Sequence, residues 1–454
     1  MKKGTGDGKK NIRLTEGTPW KVILAFAVPI IIGNLLQELY NVVDTIIVGR
    51  TLGSLKLGAV GAAGPIVFLA TGFLNGFAGG CTVLTANRYG AGEKEGVRRS
   101  TAAQIAGCSL FTIALTVLLL FSAPGILQFL HTTKNMYPYT LRYILVIYAG
   151  LPATMLYNLT AAQLRAIGDS RTPLLMLILS SLLNIILDLL FILAFGWGVT
   201  GAAAATVLSQ LVSGILCLVI ILRRYPFLLP KKKDFRRISK TVREEFAVGI
   251  PMGLQLSVIS IGMMAVQYFV NSFGDHAVSA YTIGNRIQML LQSPPVSMNL
   301  VMASFAGQNA GAERYDRIRK GTGESALIMA VYGIAGGILA LIFSESLIRI
   351  FISEPDAETV SMAAEYLRWA CPLLWTVCLL FVYRGALEGL SDGVTPMIGS
   401  FLEVAMRGLI PLFFCDTLGY TAIAMAGPVA WTASAVLITA VYFKRMYRRR
   451  GWKL

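Results

Sequence analysis

Charge is what this sequence has little of. Asp, Glu, Lys and Arg make up 14% of its 454 residues, against roughly 25% in a soluble globular chain. The deficit is spread over the whole length, which excludes an ordinary soluble domain. Histidine is almost missing: His131 and His276 are the only two, both in expected external loops. A membrane enzyme usually builds a His-rich, Ser/His or metal constellation near a surface, so the expectation is a non-enzyme without a cofactor. The six cysteines are Cys81, Cys108, Cys217, Cys371, Cys378 and Cys415, none in a CxxC pair. Neither a disulfide framework nor a zinc site is indicated. A secretory signal is not convincing either. The basic N-terminus precedes an apolar run of about 25 residues, too long for an h-region, and no small-residue cleavage site clearly follows.

Apolar residues fill the gap, at 55% of the chain. Stretches such as Ile105–Phe121 and Leu174–Phe195 approach the ~20 residues a helix needs to cross a bilayer. Lipid leaves only helices and closed barrels as options, and these runs are too uniformly apolar for barrel strands, which alternate. Charged or Gly/Pro-rich breaks give twelve expected spans: 20–48, 57–84, 100–121, 139–162, 173–195, 199–222, 246–271, 279–306, 323–343, 362–385, 395–415 and 421–443. The fold class is all-α integral membrane. If alternate connections face opposite sides, one side receives 32 basic residues and the other four, with Arg142, Arg286, Arg368 and Arg407 inside spans. The positive-inside rule then puts both termini in the cytoplasm. The formal charge of +16 reads as orientation and contact with anionic membrane lipid, not as nucleic-acid binding.

The pattern restarts near residue 223. "AFAVPIIIGNLL" (25–36) echoes "EFAVGIPMGLQL" (245–256), with Pro29 facing Pro251; "YGAGEKEGVRRS" (89–100) echoes "AGAERYDRIRKG" (310–321); "LRAIGDSRTP" (164–173) echoes "LEGLSDGVTP" (387–396). The offsets are 222, 221 and 223. The expected organisation is an N-tail (1–21), an N-lobe of six helices (22–222), a basic linker (223–245), a C-lobe of six helices (246–443) and a basic C-tail (444–454). Each half starts from the cytoplasm, so the lobes are parallel repeats, an architecture that carries solutes between two lobes.

Within this apolar frame stands "LQELYNVVDTIIVGR" (36–50), with Asp44 among valines and isoleucines. Gln37, Tyr40, Asn41 and Asp44 follow the i, i+3, i+4, i+7 spacing of one helix face. The fifth span carries Asn184 and Asp188 at i, i+4. At 1.5 Å per residue, Asp44, Asp188 and Thr206 of the sixth span all lie about 9–12 Å below the external ends of their helices. A charge in the bilayer faces a bundle interior or wet cavity. Burial beside a second carboxylate favours proton uptake, and the same oxygens suit transient Na+; either cation neutralises the pair. The C-lobe lacks these groups: at the repeat offsets Asp44 faces Val266 or Ala265, Asn184 faces Arg407 and Asp188 faces Pro411. It offers instead Glu403 and Arg407 at i, i+4, as a cavity lining or an internal ion pair, and Asn285, Gln288 and Gln292 as polar contacts to a solute or to neighbouring helices.

These residues resemble the multidrug and toxin extrusion (MATE) family, and within it the DinF-like branch. The resemblance covers the whole chain. That branch places an aspartate on helix 1, an Asn-x-x-x-Asp pair on helix 5 and a threonine on helix 6; here these are Asp44, Asn184, Asp188 and Thr206, with Tyr40 one turn before Asp44 and Pro29 matching the family's helix-1 proline. Another branch uses acidic residues on helices 7 and 10. Here Gln255 stands on helix 7, and Glu388 falls near the cytoplasmic end of helix 10. The resemblance implies a monomer in a bacterial or archaeal plasma membrane. It would export small amphipathic or cationic compounds while H+ or Na+ enters, by alternating access. A flippase for lipid-linked sugars shares the superfamily fold, and Arg286 and Arg407 keep that reading open. A channel suits the two-lobe repeat less well.

Overall fold

The computed structural model describes residues 12–129, 132–236, 238–351 and 356–450; His131 and the outermost parts of both tails lie outside them. Among the described residues all regular structure is helical. In chain order the helices are α1 (Pro19–Leu52), α2 (Ser54–Gly90), α3 (Lys94–Phe129), α4 (Tyr137–Ala149), α5 (Leu151–Ala166), α6 (Arg171–Leu189) and α7 (Val199–Arg224). The second half holds α8 (Ser239–Ser272), α9 (Asp275–Gly311), α10 (Tyr315–Ile342), α11 (Ser344–Phe351), α12 (Ala357–Ala370), α13 (Leu374–Gly389), α14 (Val394–Leu418) and α15 (Tyr420–Arg450).

Nine of these are long and apolar enough to cross a membrane, and two bent pairs, α4/α5 and α12/α13, pass when taken together. With 37 residues, α9 has the length but is richer in polar side chains. The chain is a multi-pass membrane protein. The two bends correct the sequence reading, which took 139–162 and 362–385 as single helices. The first bends by 46° and the second by 49°, next to Pro152 and Pro372. A proline cannot donate the helical hydrogen bond, and its ring crowds the preceding turn. Elsewhere prolines are tolerated: α1 runs unbroken through Pro29 and α8 through Pro251.

The helices gather into two compact units. The first holds Val28–Gly253 with the segment ending at Arg13; the second holds Leu14–Ala27 and the chain from Leu254 on. These units cut across the linear division at 22–222 and 246–443. The chain changes unit within α1, one residue before Pro29, and within α8, two residues after Pro251. The two prolines that the repeat pairs therefore mark both crossings.

Small residues let the backbones meet. In the first unit, a Cβ on Gly76 would lie 2.3 Å from the Met252 carbonyl oxygen, and one on Gly80 2.6 Å from Gly249 Cα. Gly76/Gly80 and Gly249/Gly253 are two small-xxx-small pairs, one on each helix, the spacing that permits such approach between membrane helices. The rings of Phe73, Phe77, Phe111 and Phe246 pack beside this contact. In the second unit, Gly385 meets the Asn299 carbonyl in the same manner, at 2.3 Å from a built Cβ. The basic linker is also docked. Leu228 is buried, and Asp234 accepts from Arg98 Nε at 3.1 Å and from the Lys231 N–H at 2.8 Å. Its ends, Arg223–Arg224 and 239–245, belong to α7 and α8.

Candidate functional site

The site is built inside the first unit where α1, α4, α6 and α7 converge. On α6, Ser180, Asn184 and Asp188 repeat at one turn per step and are buried, while the leucines and isoleucines between them are half-buried or, at Leu182 and Ile186, exposed. A helix that faces lipid on one side must turn its polar groups inward. Gly33 lets α1 lie close: a Cβ there would meet Leu177 at 3.4 Å and Leu174 at 3.5 Å. Two turns further along α1 come Tyr40 and Asp44. A small apolar plug of Val48, Ile192 and Ala202, with Tyr143 against it, closes the region beyond them. Immediately after Asp188 the helix widens into a π-turn, Leu190–Ala194, an irregularity frequent at functional sites.

Asp44 and Asp188 are in hydrogen-bonding contact with each other. Asp188 is 0% exposed and Asn184 1%. The Asn184 amide links the cluster. With its nitrogen turned toward Asp188, it donates to Asp188 Oδ2 at 2.8 Å and to the Tyr40 hydroxyl at 3.1 Å, and its oxygen accepts from the Thr206 N–H at 3.1 Å. The opposite amide orientation keeps only a 3.4 Å contact from nitrogen to Thr206 Oγ1, so the network selects the first. Tyr40 also hydrogen-bonds to Thr206. Asp44 Oδ1 and Asp188 Oδ1 are buried without a donor among the described residues. Two neighbouring carboxyls repel while both are ionised; one proton, or one small hard cation, removes the repulsion. The donor set of two carboxyls, an amide, a hydroxyl and a phenol suits either.

Four of the expected residues, Asp44, Asn184, Asp188 and Thr206, thus meet, and Tyr40 joins them. One member of the proposed face departs from it: Asn41 is exposed, whereas Gln37, Tyr40 and Asp44 are half-buried, because a helix packed on only one side buries a narrower stripe than the spacing suggests. Pro29 lies four turns from Asp44 and makes no contact with the cluster. Tyr143 of α4 was not anticipated. It stands close enough to feel the charge of both carboxyls, yet nothing in its local sequence distinguishes it from an interfacial tyrosine.

The second unit holds a different buried polar group. Glu403 accepts from Arg384 at 2.5 Å and pairs with Arg407 at 3.6 Å. Arg384, which the charge tally assigns to a loop, is 3% exposed inside α13, where this carboxylate holds it. Glu388 is likewise buried and not at a helix surface; it accepts from Asn299 Nδ2 at 3.0 Å. Asn285, Gln288 and Arg407 line one small cavity, and the Tyr366 hydroxyl donates to Gln288 Oε1. Gln292 Nε2 is buried without a partner. Among the described residues, no group of three or more His, Cys, Asp or Glu side chains could hold a metal ion.

The comparisons with known proteins agree with the repeat. The MatE family model matches twice, over residues 29–190 and 251–413, so the two matches begin at the paired prolines. A protein of Bacillus subtilis, described as the probable multidrug resistance protein YpnP, is 30% identical over 87% of this chain and 86% of its own length. The multidrug export protein MepA of Staphylococcus saprophyticus is 23% identical over 94% of both. Among solved structures, an outward-facing multidrug resistance MATE family transporter of the MOP superfamily superposes with a TM-score of 0.89 at 24% identity, over 98% of this chain and 99% of that one. A fold shared along the full length, two family matches in register with the internal repeat and a relative at this identity lead to one conclusion: the chain belongs to the MATE family, whose members are membrane transporters and not enzymes.

Proposed function

We propose that the protein is a secondary active multidrug exporter of the DinF-like branch, which expels small amphipathic or cationic compounds while H+ or Na+ moves inward. The observation that carries this reading is the buried contact between Asp44 and Asp188, bridged by Asn184, Tyr40 and Thr206. A pair of carboxyls with unsatisfied oxygens, held between three helices, responds to one arriving cation.

The coupling follows from differential binding. A cation drives transport only if it favours one conformation over another. Neutralised, Asp44 and Asp188 draw α1 and α6 together; ionised, they push them apart. The movement is transmitted along α1 to Pro29, whose missing N–H weakens the helix there and permits a bend. Substrate leaves the outward-open cavity as the helices close, and the cation leaves toward the cytoplasm when the lobes rock. The positive-inside count supports cytoplasmic termini and residence in a bacterial or archaeal plasma membrane, and one chain suffices as the transport unit.

The test is dye accumulation in cells that lack their own exporters. Cells expressing the protein should hold less ethidium than controls, and Asp44→Asn should remove that difference while the protein is still made and inserted. Undiminished efflux by a well-expressed Asp44→Asn protein would refute the assigned role.

A further inference from the structure

We propose that the cavity around Arg407 in the second unit is a subsite for the carboxylate of an amphipathic acid. The cavity encloses about 20 Å³, room for about one water-sized group and so for a head group but not a whole solute. Arg407 forms part of its wall, and Asn285 and Gln288 add amide groups; Tyr281, Tyr366 and Trp431 supply aromatic surface. Exposed Met263 stands at the rim.

The charges explain why an anion fits. Arg407 is 7% exposed, and its nearest carboxylate oxygen, on Glu403, is 3.6 Å away. The shorter contact of Glu403 is to Arg384, at 2.5 Å, and Glu388 is engaged with Asn299. Glu403 therefore serves two guanidiniums and serves Arg407 less well. Arg407 Nη1 is buried with no hydrogen-bond partner. A buried guanidinium with an unmet N–H carries a desolvation cost that an incoming carboxylate offsets, and guanidinium and carboxylate match in shape. Gln288 Oε1 is already engaged by the Tyr366 hydroxyl, so what Gln288 has left for a ligand is its N–H groups. A cationic head would meet the Arg407 charge instead. The cavity thus adds anionic and zwitterionic amphipathic compounds to the solutes of the export reading, on which this proposal rests for its biological sense but not for its test.

Binding measured in detergent, with no gradient, separates the two readings. The probes are pyrenebutyric acid and its neutral amide, which share a ring and differ in charge. Binding is followed by pyrene anisotropy, and each variant is checked for monodispersity. The acid should bind at least tenfold tighter than the amide. That preference should vanish in Arg407→Gln. Gly427→Leu is a second variant that leaves every charge in place. A Cβ at Gly427 would meet only Trp431, at 3.6 Å, and the rest of the leucine takes more room than the cavity's about 20 Å³, so the side chain excludes a ligand head group and should weaken acid binding at least tenfold. Equal affinity for acid and amide in the unaltered protein would overturn the proposal, and so would full acid binding by Gly427→Leu. Displacement of the acid by equimolar dihexanoylphosphatidylglycerol would also overturn it, by assigning the cavity to lipid phosphate. Absence of ethidium efflux from the same preparation in vesicles would count against export alone.

Discussion

At the scale of single residues, a carboxylate in hydrocarbon is conspicuous. Asp44 and Asp188 stand out in the sequence because their surroundings are leucine, isoleucine and valine, and helical spacing alone adds Tyr40 and Asn184. What spacing cannot reveal is how wide a stripe each helix buries, which is why Asn41 was included and lies exposed, or which aromatic from a distant helix leans in, as Tyr143 does. Arg384 was misread for a related reason: a basic residue near a helix end looks like a loop charge until its partner, Glu403, arrives from another helix. The bridging role of Asn184 leads to a specific expectation. Asn184→Leu takes the amide away from Asp188 Oδ2, while the Tyr40 hydroxyl keeps Thr206 and the Thr206 N–H keeps its place inside α7. A buried group left unpaired costs about 1–3 kcal/mol, so the variant should melt at lower temperature and lose at least tenfold in efflux. Unchanged melting and efflux would mean that the amide is incidental.

At the scale of elements, eleven of the twelve expected spans match apolar helices or bent pairs, and the breaks within the pairs were not legible. A proline inside a span is compatible with a straight helix, as at Pro29 and Pro251, or with a bend, as at Pro152 and Pro372, and the choice depends on what packs against it. The close helix contacts rest on glycine. Gly80→Leu would force side-chain atoms into the Gly249 backbone, and overpacking of this kind costs typically 1–3 kcal/mol or more; the prediction is poor membrane yield and early melting, measured by detergent-phase thermal denaturation. The cap of α12 supplies a pH test outside the membrane. Asp356 accepts from the Thr359 N–H at 2.7 Å and from its hydroxyl at 2.8 Å. These bonds, with His276 beside them, hold the carboxyl down at about 2, below its ordinary 3.8. Because the folded state prefers the ionised form, the cap contributes fully above about pH 4 and is lost as pH falls through about 2. Hydrogen exchange of the first amides of α12, corrected for intrinsic rates, should be level from about pH 8 to 5 and accelerate only in stronger acid. Acceleration already above about pH 5 would contradict the assignment to Asp356.

At the scale of the whole molecule, the repeat was legible because three separate segments share one offset, and the family model matches the same two halves. The division into compact units was not. It depends on tertiary packing that moves the first part of α1 and the first part of α8 into the opposite unit, a choice no local pattern encodes. Lysine and arginine counts predict that both tails face the cytoplasm; single cysteines placed near each end should resist a membrane-impermeant maleimide in whole cells and react in inverted vesicles. The central claim is that one cation at Asp44 and Asp188 drives export. Its most direct measurement is ethidium efflux from proteoliposomes with pH and sodium gradients imposed independently. The account predicts that at least one gradient drives efflux by the unaltered protein, and that neither does so in Asp44→Asn or Asp188→Asn. Gradient-driven efflux at the unaltered rate in either variant would contradict it.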